Sequence, residues 1–175
     1  EGRFAGIITA NTGLPGKEPR GEFQPVTHIK RSAWEGISAF LIWLLYSQLT
    51  PKLEPGKVLQ MGTIVKLTRE EVAAYNAPYP ERCYLAGARK FPRIVLSEWE
   101  NNSKAWEKLA KWEKPFLTAF GDKDPILSGG DRLFQSIVPG AQGQPHEIIR
   151  KASHFLQEDA PDDVARSIIS FANKL

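Results

Sequence analysis

Residues 115–155 decide the fold. Pro115-Phe116-Leu117-Thr118-Ala119-Phe120 runs into Gly121-Asp122-Lys123-Asp124-Pro125, and His146-Glu147-Ile148-Ile149-Arg150 runs into Lys151-Ala152-Ser153-His154-Phe155. Both openings are short apolar, β-favouring runs, each broken by polar residues. Between them, Gly129-Gly130 opens a segment with apolar residues at 133, 134, 137 and 138, which is helical spacing, and Pro139-Gly140 stops it. Strand, helix, strand in that order predicts a parallel crossover unit, in which chemistry gathers at the carboxyl ends of the strands. Asp124 and His154 both fall there, as a candidate carboxylate–imidazole pair on neighbouring loops.

The surrounding composition is that of an ordinary globular domain: 175 residues, 42% hydrophobic and 25% charged. The net charge of +3 comes from scattered lysines and arginines with acidic residues interleaved, so no basic stripe for nucleic acid forms. The longest apolar run, Ile37 to Leu45, is too short to span a bilayer. Cys83, the single cysteine, has no metal-spaced partner and reads as a buried small apolar residue. A reducing, cytoplasmic setting is expected. His28 and His146 lack metal-ligand spacing too, and neither a metal nor a cofactor is expected.

Upstream, Arg3 to Ala10 reads as a buried parallel strand, which needs neighbours on both sides. Polar, Gly/Pro-rich sequence follows to Gln24. Ile29 to Leu49 is helical, with Trp34, Ile37, Phe40, Leu41, Leu44 and Leu45 in a stripe that Trp43 and Tyr46 widen; such a helix should be buried or cover a cavity. Pro51 and Pro55-Gly56 are read as breaks. Thr68-Arg69-Glu70-Glu71 fits a capping box. A further helix is expected from Glu81 to Lys90, ended by Phe91-Pro92, and another from Asn102 or Ser103 to Trp112. Asp162 and Asp163 suit the first turn of a final helix. The domain reading is strand and linker in 1–24, a helical cap and return helix in 25–112, and a C-terminal α/β core in 113–175. The fold class is α/β: half of a doubly wound sheet with an inserted all-helical cap.

Phe120-Gly-Asp-Lys-Asp-Pro-Ile126 and Ala152-Ser-His-Phe-Leu-Gln-Glu158 resemble the last third of α/β-hydrolases, within them the haloalkane dehalogenases. Thr68-Arg-Glu-Glu-Val-Ala-Ala-Tyr-Asn-Ala-Pro-Tyr-Pro80 and Ala86-Gly-Ala-Arg-Lys-Phe-Pro92 resemble the cap of the same family. The resemblance implies Asp124 as the acid, ahead of Asp122, and His154 as the base that activates water. Ser153-His154-Phe155 departs mildly from the family's Gly-His-Phe. Some members carry the acid after the strand represented here by residues 3–10, where this chain has Asn11-Thr12. By the same resemblance Trp43 donates to halide from the cap, Phe40 walls the substrate pocket, and Leu44 and Leu45 line it. Turn chemistry alone would account for Asp124, a surface loop for His154, and core packing for Trp43; the flanking patterns favour the catalytic assignments. Trp34, Trp99, Trp106 and Trp112 are assigned to packing.

No Gly-x-Asp-x-Gly nucleophile elbow occurs in the sequence. The expectation is therefore a cap and C-terminal part of a chain on the order of 300 residues. Its partners would be a small halogenated alkane, water, halide and the N-terminal half of the enzyme, and alone it should be inactive. An epoxide hydrolase of the same fold, using Tyr46 or another of Tyr75, Tyr79 and Tyr84, is the alternative enzyme. A catalytically incomplete hydrolase-like binding module is the alternative outside catalysis.

Overall fold

The computed structural model describes residues 2–19 and 31–175, with the side chains of 31–37, 39 and 96 left out of the description. His28, the side chain of Trp34 and the expected domain boundary at 24/25 lie outside the described residues. Three parallel strands form the sheet in the order β1 (Ile7–Ala10), β2 (Phe116–Gly121), β3 (Glu147–Ile149). β2 lies in the middle and is buried on both faces. Phe116 and Phe120 point into a cluster with Trp106, Trp112, Phe134, Ile137 and Val138, whereas Ala119 points into a second cluster with Ile149, Ala152 and Leu156. The period-2 alternation of the strand divides these residues between two helical layers. Helices α5 (Trp99–Leu109) and α6 (Gly130–Ile137) supply the first layer; α7 (Leu156–Asp159) and α8 (Pro161–Ala172) supply the second. β1 has β2 on one side and no second neighbour among the described residues.

The helical region comprises α1 (Arg31–Leu49), α2 (Pro55–Met61), α3 (Arg69–Asn76) and α4 (Ala86–Ser97), with a 3-10 turn at Arg82–Leu85. The capping box forms as read: Thr68 Oγ1 accepts from Glu71 N–H, and Glu71 Oε2 accepts from Thr68 N–H. Hydrogen bonding from Thr68, its backbone N–H above all, holds the Glu71 carboxyl below its ordinary pKa.

Five expectations are corrected. Pro55 starts α2 instead of breaking the chain, because its missing N–H falls at a first-turn position that has no partner in any helix. The helix expected to end at Phe91-Pro92 runs through Pro92, which is buried. Packing against α1 holds it: Trp43 meets Phe91 edge-on, and Arg89 donates to the carbonyls of Ser47, Thr50 and Pro51 at the carboxyl end of α1. α1 is not buried all round, since Leu41, Ile42, Leu45 and Leu49 are exposed; α4 covers one side alone. Trp106 and Trp112 are core, but Trp99 is 54% exposed, and Cys83, expected to be buried, is exposed too.

Gly121 closes β2 where the backbone after β3 comes nearest, and a Cβ there would run into the Ala152 carbonyl oxygen. Gly121→Ala should destabilise the protein by about 1–3 kcal/mol through overpacking. A lower urea midpoint at unchanged slope checks it.

Candidate active site

Asp124 lies three residues beyond β2 and His154 five beyond β3, at the carboxyl edge of the sheet. The two loops are joined backbone to backbone: Asp122 N–H donates to Ile149 O at 3.0 Å, and Lys123 N–H to Ala152 O at 3.0 Å. Asp124 Oδ2 stands 3.1 Å from His154 Nδ1, with the carboxylate side chain 1% exposed and the imidazole 26%. The other oxygen, Oδ1, accepts from Ile126 N–H at 2.8 Å and Leu127 N–H at 3.3 Å, an Asx-type turn over Pro125. A carboxylate can only accept, so Nδ1 carries the proton and Nε2 is left with the lone pair. An imidazole held this way can take a proton from water, and the carboxylate stabilises the cation that results.

Asn11, at the end of β1, is a residue that sequence reasoning passed over except to note that it is not acidic. It is buried, with a left-handed φ of 32° that asparagine tolerates. Its Nδ2 donates to Ser153 O at 2.5 Å and His154 O at 3.1 Å, and its Oδ1 accepts from Gly121 N–H at 2.8 Å. One amide thus links the ends of β1 and β2 to the backbone of the histidine itself.

Phe40, Trp43 and Leu44 sit half-buried on α1. The ring of Trp43 meets Phe40 at 5.7 Å and Phe91 at 5.6 Å. Among the described residues no hydrogen bond or ring contact joins it to Asp124 or His154. The structure therefore brings the Asp–His pair together and leaves Trp43 within the α1–α4 pair. His146 is structural: its Nδ1 accepts from Thr118 N–H at 3.1 Å, and its Nε2 faces Ala141 O at 2.9 Å. It lines a shallow cavity of about 340 Å³ with Arg132, Gln135 and Gln142, a cavity that neither Asp124 nor His154 reaches. Among the described residues no cluster of His, Cys, Asp and Glu is arranged to hold a metal, and no helix is long and apolar enough to cross a membrane.

The chain is 41% identical to a haloalkane dehalogenase of Psychrobacter cryohalolentis over 97% of its own length and 52% of that protein's. It is 36% identical to haloalkane dehalogenase 1 of Mycobacterium tuberculosis, over 97% and 53% of the two lengths. The chain is homologous to haloalkane dehalogenases. It spans about half the length of these curated relatives. No protein-family model matches. Among solved structures, a haloalkane dehalogenase loop variant from Bradyrhizobium elkanii aligns at a TM-score of 0.65 and 20% identity, covering 95% of this chain and 58% of that one. A putative lipase from Acinetobacter baumannii aligns at 0.59 and 14%, covering 97% and 52%. At such identities these likenesses speak for the fold, which is that of the α/β-hydrolases.

Replacing Asn11 with alanine strips the Gly121 N–H and two carbonyls of their partner at a buried position. A loss of about 1–3 kcal/mol in chemical denaturation is expected.

Proposed function

We propose that this chain supplies the cap and the water-activating half of a haloalkane dehalogenase, hydrolysing a carbon–halogen bond through an aspartyl ester. The observation that carries the reading is the Asp124–His154 hydrogen bond at the carboxyl edge of the sheet, in a chain homologous to dehalogenases from end to end. In this scheme an aspartate carboxylate displaces halide from an sp3 carbon, forming an ester. His154 Nε2 then takes a proton from water as the water oxygen attacks the ester carbonyl. The alcohol leaves, the carboxylate is regenerated, and the proton passes to solvent. Asp124 orients the ring and offsets its charge. Trp43 donates its indole N–H to the departing halide, with Phe40 and Leu44 forming apolar walls. A neutral donor on an apolar surface stabilises the anion without retaining it as a charged clamp would.

The nucleophile and a second halide donor come from an N-terminal half, in the same or a separate chain. Relatives nearly twice as long support this, as do the absence of an elbow motif and an outer edge of β1 that has no partner strand among the described residues. In this reading residues 1–24 belong to the core, 25–112 to the cap and return helix, and 113–175 to the core again. The enzyme works in the cytoplasm on a small halogenated alkane. Epoxide opening by Tyr75 is disfavoured, because its hydroxyl donates to Glu158.

Joined to an N-terminal half from a homologue, the chain should release bromide from a brominated alkane, and alone it should release none. Sustained turnover by the isolated chain contradicts the division of labour. In the joined enzyme, His154→Ala should still release one halide per site and then stop, with the ester visible by mass spectrometry. Trp43→Phe should weaken halide quenching of tryptophan fluorescence several-fold.

A further inference from the structure

The backbone around His154 is held from two directions. Asn11 takes the Ser153 and His154 carbonyls from the β1 side. The amides on either side of the histidine are taken by other groups: Ser153 N–H donates to Asp159 Oδ2 at 2.7 Å, and Phe155 N–H to Gly62 O at 3.0 Å. Asp159 reaches further. Its second oxygen, Oδ1, accepts from Ile64 N–H at 2.8 Å and Val65 N–H at 2.9 Å, in the loop between α2 and α3. One carboxylate thus gathers three backbone donors, two from the helical region and one from the residue before the histidine. Charge-assisted bonds of this kind are short and directional. Two further contacts close the same junction: Tyr75 of α3 donates to Glu158, and Gly62 lies so close to the Phe155 ring that a Cβ there would clash.

We propose that Asp159 is a positioning residue for His154, latching the α2–α3 part of the cap to the catalytic loop so that the two move as one body. This rests on the dehalogenase reading, in which His154 acts only after the ester has formed. The latch therefore governs the hydrolytic half of the cycle and leaves alkylation alone.

The test uses the joined, full-length enzyme. Asp159→Asn places an amide group where three N–H donors converge, so at least one donor loses its acceptor. Rapid-quench kinetics should show the halide burst at its wild-type rate and ester hydrolysis slowed by about 10²-fold, the scale expected of an ångström-sized misplacement. Equal slowing of both steps, or no slowing of hydrolysis, overturns the proposal. Native-state hydrogen exchange on the unmodified enzyme gives a readout independent of chemistry and of the variant's folding. The Ile64, Val65 and Ser153 amides should open together at one rate, and Ile64 and Val65 exchanging freely while Ser153 stays protected also overturns it. A wild-type enzyme that releases no halide defeats the dehalogenase reading, and the exchange result still decides the latch.

Discussion

A primary amide stands where the three strands end, and the site depends on how its hydrogen bonds are used. Parallel strands converge at their carboxyl edge with backbone groups that the ladder no longer pairs, and burial makes each unpaired group costly. Asn11 resolves this by accepting from Gly121 at the end of β2 and donating to the carbonyls of Ser153 and His154 beyond β3. No other side chain offers one acceptor and two donors on so short a stem. An aspartate there would face two carbonyls with a second acceptor. The identity of residue 11 thus goes with a carboxylate partner of His154 located elsewhere, on the loop after β2.

What the sequence made legible were features with a local signature. The central strand is announced by Pro115 and ended by Gly121; the capping box at Thr68 is a four-residue pattern; Asp124 and His154 follow strands with abrupt polar breaks. What escaped reading depends on partners far along the chain. Pro92 breaks an isolated helix, yet α1 and Arg89 hold α4 together around it. The Asn11 bond to Ser153 spans 142 residues and the Asp159 bond to Ile64 spans 95. A side chain bonded to distant backbone leaves no period in the sequence. Pro55 was misread for a different reason: proline marks helix starts as well as helix ends, and composition alone does not separate the two.

Exposure follows the same logic. β1 has the β-branched composition of a strand covered on both faces, but it is only half-buried, and α1 leaves Leu41, Ile42, Leu45 and Leu49 in solvent. The core around β2 shows no such deficit, with Phe116, Leu117 and Val138 fully enclosed. At about 25 cal/mol per Å² of apolar surface removed from water, covering β1 and the exposed side of α1 would add several kcal/mol. Apolar surface is thus left partly open at β1 and α1 and closed around β2.

The orientation of that pair follows from Pro125. Proline has no N–H, so the turn after Asp124 offers the amides of Ile126 and Leu127 as its first donors, and both reach Oδ1. With Oδ1 committed to them, Oδ2 is the oxygen left for His154 Nδ1, and the carboxylate plane is fixed. A donor at position 125 would compete for the carboxylate and let it rotate, which would loosen the imidazole in turn. Pre-set hydrogen bonds lower a barrier because nothing need reorganise when charge appears on the ring. Here that preorganisation begins with a backbone nitrogen that has no hydrogen to give.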